Sequence, residues 1–330
     1  MLKQPKPCIR SLMVAPMMGW TTRHYRYFFR LISRKVRLYT EMITTGAILH
    51  STYRDRLLGY HSREQPLAIQ LGGSVPAELS QAAKIAEDYG YTEINLNVGC
   101  PSHRVQSGCF GAVLLKNARL VAECIAQMRT TVKLPLTVKT RIGVDDHDSY
   151  SHLVRFIQEV SAAGCHTFII HARKAWLSGL SPKENRDIPP LNYAWVYQIK
   201  RDFPQLTVVL NGGIKNLAEA TAHLPYVDGV MIGRAAWYTP YLFRAWDVFP
   251  SEGEVDHHFQ DKIAIVENYM PYAQAALSQG ENISHVLQPL FGLFHGVAGA
   301  GKWRSRLTQA IHSKGKITEL LGDPLFEDTR

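Results

Sequence analysis

The residues best suited to chemistry lie in one stretch, EINLNVGCPSHRVQSGCFGAVLL, running from Glu93 to Leu115. Ile94, Leu96 and Val98 alternate with polar residues until Gly99-Cys100-Pro101 stops the pattern, as at a strand end. An ordinary thiol is mostly protonated at neutral pH, so Cys100 at such an end is placed to give or take a proton. Cys109, between Gly108 and Phe110, competes for that role. Cys100 is favoured because it sits nearest the strand end. Gly108 and Gly111 leave room for something to approach the backbone. Lys139 lies inside an apolar run two residues before Arg141, so both side chains point to the same side. Such a lysine could form a Schiff base or pair with an anionic cofactor. His171 ends another apolar run and could donate to a cofactor. Asn211-Gly212-Gly213 and Gly233-Arg234 end two more. Their backbone N–H groups, with a helix opening after Gly233, suit a phosphate.

These residues must be held by regular elements. Short apolar runs at 11–15, 36–40, 66–71, 93–98, 136–141, 167–171, 207–210 and 229–232 read as strands. Between them lie helical patterns at 76–89, 112–131, 150–163, 194–201 and 217–223, and a first helix to 31 that Thr21 or Thr22 can cap. A longer polar loop spans 172–190. Continuous apolar strands are the habit of parallel sheets covered on both faces. Strand, loop and helix repeated eight times in about 230 residues describe an α/β chain, a (β/α)8 TIM barrel over 1–249. A doubly wound sheet competes, but the glycine-rich turn that opens a dinucleotide-binding domain is missing. In the barrel, strand C-termini form the active face. That places Pro16, Met17, Met18, Gln70, Asn97, Cys100, Lys139, Arg141, His171, Asn211, Gly212, Gly213, Gly233 and Arg234 at one end.

After 249 the strand pattern ceases. Ser251-Glu252-Gly253 reads as a linker, and helical patterns at 259–277, 283–294 and 303–312 describe a small helical domain over 250–330. The chain has 330 residues, 46% of them hydrophobic, an ordinary share for a globular protein. No apolar run approaches the roughly 20 residues of a membrane span, and no signal peptide is visible. Five cysteines without a CxxC spacing point to reduced, cytoplasmic thiols rather than a disulfide framework or a zinc site. Cys8, Cys124 and Cys165 read as tail or packing residues. The net charge of +9 favours a polyanionic partner. Charge is densest from Arg23 to Arg37 and from Lys302 to Lys316.

The motifs APMMGWTTRH, PLAIQLGG, INLNVGCPSHRVQSGCFGAVLL, VKTRIG, LNGGI and DGVMIGRAAW resemble those of the tRNA-dihydrouridine synthase family. HARKAWLSGLSPKENR and HGVAGAGKWR resemble its A-type bacterial members. The resemblance implies a TIM barrel that holds FMN, uses NADPH as reductant and reduces the C5–C6 double bond of D-loop uridines in tRNA, at positions 20 and 20a. It implies a hydride from reduced flavin to C6 and a proton from Cys100 to C5. It implies FMN contacts at Pro16, Met17, Met18, Gln70, Lys139, His171, Asn211, Gly212, Gly213, Gly233 and Arg234, with Asn97 holding the uracil. Lys139 becomes a partner of the anionic reduced flavin. Arg141, Lys183, Arg186, Lys302 and Arg304 are then contacts for tRNA, which must present its uracil out of the stack. No protein partner is implied. The chain departs from the family pattern at Gly19, Thr22 and Gly301, which bears on tRNA positioning. Competing readings are a flavin reductase of a free pyrimidine, like dihydroorotate dehydrogenases, a tRNA-binding protein without catalysis, and an aldolase using Lys139.

Overall fold

A computed structural model describes residues 11–248 and 258–313, with 317 and 320. Cys8, the expected boundary at 249/250, the 251–253 linker and Lys316 lie outside the described residues. The described chain groups into two compact units. One holds residues up to 18 and 37–233, and the other holds 19–36 and the residues from 234 onward.

The first unit is the barrel. Its strands are β1 (Ser11–Val14), β2 (Leu38–Thr44), β3 (Leu67–Gly72), β4 (Glu93–Val98), β5 (Leu136–Arg141), β6 (Thr167–His171), β7 (Thr207–Asn211) and β8 (Gly229–Ile232). All neighbours pair in parallel, in the order β1-β8-β7-β6-β5-β4-β3-β2. The seam between β1 and β2 closes through a parallel bridge from Met13 to Arg37. There the Val14 N–H donates to the Arg37 carbonyl at 2.9 Å and the Arg37 N–H to Leu12 at 3.0 Å. The barrel is therefore closed, which removes the exposed sheet edge.

Most strand limits fall where the apolar runs predict them. β2 is the exception, extending past 40 to Thr44 through a register shift between Tyr39 and Met42. The Thr40 hydroxyl fills the gap by accepting the Gln70 N–H at 3.1 Å. The helix expected to run unbroken over 112–131 is instead a tight Gly111–Lys116 turn followed by an Ala118–Thr131 helix. Asn117 starts the latter by accepting from Leu120 N–H at 3.1 Å, a typical N-cap arrangement.

Inward residues of six strands make an apolar cluster: Met13, Tyr39, Ala68, Ile169, Val209 and Met231, with Ala15 just beyond β1 and Met17 packed against it. β4 breaks this rule. Ile94, Leu96 and Val98 alternate with Glu93, Asn95 and Asn97, and all six are buried. Glu93, 1% exposed, pairs with Arg37 and accepts from Tyr39 and Thr137 at 2.8 Å each.

The second unit is helical and includes the first helix of the chain, Arg23–Ile32. Eight of its ten residues are buried, so it is enclosed on nearly all sides. Thr22, one of the departures from the family pattern, is its N-cap. Tyr27 stacks on Tyr272 at 3.9 Å between ring centroids, and Phe29 meets Phe243 edge-on at 5.1 Å. The Tyr25 hydroxyl donates to the Ala236 carbonyl at 2.7 Å. Asp247 closes the helix, accepting from the Arg34 and Lys35 N–H groups at 2.6 and 3.1 Å. Part of the dense charge between Arg23 and Arg37 is therefore structural. Arg26 and Arg30 are buried, and Arg30 caps the chain turn through the carbonyls of Ser33, Arg34 and Val36. The later helices are His258–Ser278, Ile283–Leu287 and Ala300–Ser313. Trp303 is fully buried, with its indole N–H on the Leu290 carbonyl at 2.9 Å.

Arg37→Met leaves the Glu93 carboxylate buried without its cation, which should cost about 3 kcal/mol. Urea denaturation should show a lower midpoint at unchanged slope.

Candidate functional site

At the C-terminal end of β4 the chain turns through Gly99, Cys100 and Pro101, and every backbone polar group given for that turn is tied. The Asn97 Oδ1 accepts the N–H groups of Gly99 and Cys100 at 3.1 and 3.0 Å. Arg141 Nε donates to the Gly99 carbonyl at 2.9 Å. Ala112 N–H donates to the Cys100 carbonyl at 2.9 Å, and Gln106 Nε2 to Pro101 at 2.7 Å. The half-buried Cys100 thiol points to the Ser102 hydroxyl at 3.5 Å. The space expected at Gly108 and Gly111 is taken by this loop itself. A Cβ on Gly108 would meet the Phe110 ring at 2.4 Å, and one on Gly111 the Cys100 carbonyl at 2.5 Å. Cys109 is exposed, with φ +57°. Cys124 and Cys165 are buried, and burial pushes both thiols up to about 12.

Asn97 is set in turn from below. Its Nδ2 donates to Gln70 Oε1 at 2.9 Å, Gln70 Nε2 to Asn95 Oδ1 at 2.7 Å, and Asn95 Nδ2 to Thr137 Oγ1 at 2.8 Å. Thr137 then donates to Glu93 at 2.8 Å. Backbone N–H groups can only donate and a carboxylate can only accept, so the direction of every bond in this ladder is fixed. Asn95, Thr137 and Glu93 were not among the sequence candidates. Their strand parity with Asn97 and Lys139 was readable, but their partners depend on cross-strand register.

Beside this turn lie Lys139, Arg141, His171 and Asn211. Register pairs Asn97 with Lys139, Arg141 with His171, and His171 with Asn211. Lys139 is half-buried and its Nζ donates to Asn211 Oδ1 at 3.1 Å. Burial first, and then Arg141, bring Lys139 down to about 8, with Cys100 acting the other way. Arg141 is 3% exposed. Besides Gly99 it serves the carbonyls of Lys174 and Asn185, at 3.0 and 2.9 Å. Burial lowers it to about 10, and Arg186 and Arg173 add to the shift. His171 is held well below its ordinary value by burial, and by the charges of Arg141, Lys139, Arg173 and Arg186. Its ring is neutral at neutral pH, and every charge acting on it is positive.

Gly212 has φ +113°, and a Cβ there would stand 2.5 Å from His171 Cδ2. Gly213, at φ +75°, has the same relation to Leu191 and Tyr193, at 2.5 and 2.8 Å. Gly233 differs: a Cβ would meet only Ala15 and Met17 at 3.7 Å. Pro16 and Met17 are half-buried beyond β1, and Met18 is exposed. Lys183 and Arg186 are exposed on the 172–190 loop. That loop folds around the fully buried Asn185, whose Nδ2 serves the carbonyls of Trp176, Leu180 and Ser181 at 2.9, 3.2 and 3.3 Å. On the helical unit, Arg234, Lys302 and Arg304 are exposed. Among the described residues no three His, Cys, Asp or Glu side chains are grouped so as to hold a metal ion.

The sequence profile described as dihydrouridine synthase (Dus) matches residues 13–327. The chain belongs to the dihydrouridine synthase family. It is 56% identical to the tRNA-dihydrouridine(20/20a) synthase of Shigella flexneri over 311 residues, covering 93% of this chain and 90% of that protein. To the protein of the same name from Vibrio cholerae serotype O1 it is 52% identical over 317 residues, covering 95% of each. Among solved structures, an old yellow enzyme homologue from Zymomonas mobilis superposes with a TM-score of 0.53 at 13% identity. That match covers 75% of this chain and 91% of that one. Morphinone reductase in complex with tetrahydroNAD gives 0.52 at 13%, covering 74% and 88%. At such identities these two speak for the barrel fold alone. No helix among the described residues is long and apolar enough to cross a membrane.

The two glycines should respond differently to the same change. Gly212→Ala forces a side chain into left-handed backbone against His171 and should cost about 2 kcal/mol. Gly233→Ala should stay within about 0.5 kcal/mol of the parent. Thermal or urea denaturation of both proteins checks this.

Proposed function

We propose that the protein is an FMN-dependent tRNA-dihydrouridine synthase that reduces the C5–C6 bond of uridines 20 and 20a in the D-loop, with NADPH as reductant. The observation that carries the reading is Cys100, held at a strand end by the Asn97 amide oxygen, in a site where Lys139, Arg141, Arg173 and Arg186 all act on His171. The family membership and the printed activity of its relatives support it.

The residues present fit an anionic flavin. Lys139 is half-buried and has a neutral Asn211 as its partner. Gly233 leaves a cradle that a Cβ would enter. Pro16, Met17, Met18, Gln70, Lys139, His171, Asn211, Gly212, Gly213 and Gly233, all of the barrel unit, would hold the group. When bound, FMN supplies the hydride for C6, taken from NADPH. The chain's own residues do the rest. Lys139, in its charged form, would balance the negative charge of the reduced flavin. Neutral His171 offers a ring nitrogen without adding to that charge. Asn97 is held by Gln70 on one side and by the Cys100 turn on the other, and presents its amide to the uracil. Cys100 gives its thiol proton to C5, and solvent restores it. Arg141 acts by position, since its guanidinium holds the carbonyls of Gly99, Lys174 and Asn185. Lys183 and Arg186 on the barrel, and Lys302 and Arg304 on the helical unit, are contacts for tRNA phosphates, so binding weakens with salt. The tRNA substrate places the reaction in the cytoplasm.

Dihydrouridine mapping of tRNA from cells lacking the protein tests the reading. Uridines 20 and 20a should regain their double bonds, and their continued reduction would sink it. Turnover of orotate or uracil in place of tRNA would favour the free-pyrimidine reductase. Cys100→Ala should bind FMN as before and lose turnover on unmodified tRNA by roughly 100-fold or more.

A pH dependence follows from Lys139. The lysine is charged below about 8 and neutral above it, and an anion prefers the charged form. FMN binding to the apoprotein should therefore weaken as pH rises through and beyond that value, because binding itself raises the lysine. Flavin fluorescence titration should show the trend in the parent protein and its absence in Lys139→Met.

A further inference from the structure

Gln106 lies on the short His103–Ser107 helix that follows the Cys100 turn. Its Nε2 donates to two carbonyls, Pro101 at 2.7 Å and Leu177 at 2.8 Å. Both neighbours are acceptors, so the nitrogen must face them, and both amide protons are used. Pro101 is the residue after Cys100. Leu177 belongs to the 172–190 loop, which carries Lys183 and Arg186. Arg141 makes the matching connection on the other side. It joins the carbonyl of Gly99, the residue before Cys100, to Lys174 and Asn185 of the same loop. Cys100 is thus flanked, residue by residue, by two side chains that reach into one loop. That loop is stiffened by the buried Asn185 and by Asp145, whose Oδ1 accepts the Leu177 N–H at 2.9 Å.

We propose that Gln106 is a positioning residue for proton donation by Cys100, and that through Gln106 and Arg141 the 172–190 loop sets the place of the thiol. The proposal rests on the reading of Cys100 as the proton donor. Gln106 touches neither flavin nor uracil in this scheme. It holds the turn. A carboxylate of the same shape would face two carbonyl oxygens with lone pairs, so hydrogen bonding can be separated from mere filling of space.

The test uses the full chain with its flavin, as Gln106→Ala and Gln106→Glu. The first readout needs no tRNA: the rate at which iodoacetamide alkylates Cys100, followed on the Cys100 peptide by mass spectrometry, with the Cys109 peptide as internal reference. Both variants should change the Cys100 rate severalfold and leave that of Cys109 alone. The second readout is rapid kinetics. Reduction of the flavin by NADPH should match the parent protein, as should the tRNA concentration giving half-maximal rate. Reoxidation by unmodified tRNA should fall by roughly 10- to 100-fold, and Gln106→Glu should be at least as impaired as Gln106→Ala. Parent-like alkylation and reoxidation in Gln106→Ala would overturn the proposal. So would a Gln106→Glu protein indistinguishable from the parent, since shape alone would then suffice. A parent protein that tRNA fails to reoxidise would sink the functional reading instead, and the alkylation comparison would still decide the positioning role.

Discussion

Polar side chains inside a barrel must find partners, and here that requirement organises the site. β4 turns Glu93, Asn95 and Asn97 inward, where the other strands supply mostly apolar side chains. An unpaired amide or carboxylate in that setting would cost more than a hydrogen bond returns. The ladder from Glu93 through Thr137, Asn95 and Gln70 to Asn97 meets the demand with a single direction of donation. Its lower end is anchored by Arg37 beside the seam that closes the barrel. Its upper end fixes the two amides of the Cys100 turn. Closure of the fold and orientation of the reactive turn are therefore parts of one hydrogen-bonded structure.

The second feature of the site is its sign. Lys139, Arg141, Arg173 and Arg186 all act on His171. Such a grouping is costly in an empty barrel and favourable around an anion. Arg141 relieves part of the cost by spending its donors on carbonyls. Lys139 relieves it by giving up its proton more easily. A bound anion would remove the need for the second relief, which couples cofactor binding to the charge state of that lysine.

Much of this was legible in the sequence because parallel strands are continuous apolar runs. The runs at 136–141, 167–171 and 229–232 coincide with β5, β6 and β8. Strand ends then placed Cys100, Lys139, His171 and Asn211 near one another. Features that depend on register were not legible. The extension of β2 past Tyr39 rests on one threonine hydroxyl replacing a backbone acceptor. Asn185 reads as one polar residue among many in a polar loop, yet it is the buried centre of that loop. The aromatic density of Arg23–Ile32 was visible, but the identity of its partners was not. Tyr269, Tyr272 and Phe243 lie more than 200 positions later.

That last separation has a consequence for how the protein is made. Neither unit is a contiguous piece of chain, so no single cut yields both intact. A fragment ending after β8 would carry an aromatic helix stripped of its partners, and a fragment beginning there would lack the helix. During synthesis, Arg23–Ile32 leaves the ribosome before any strand after β1, while the residues that bury its rings arrive almost last. Until they emerge, this helix lacks the rings it packs against in the finished fold, and its own apolar rings are open to other chains or to a chaperone. The interval of greatest aggregation hazard therefore falls before the C-terminal helices emerge, whatever the stability of the finished fold.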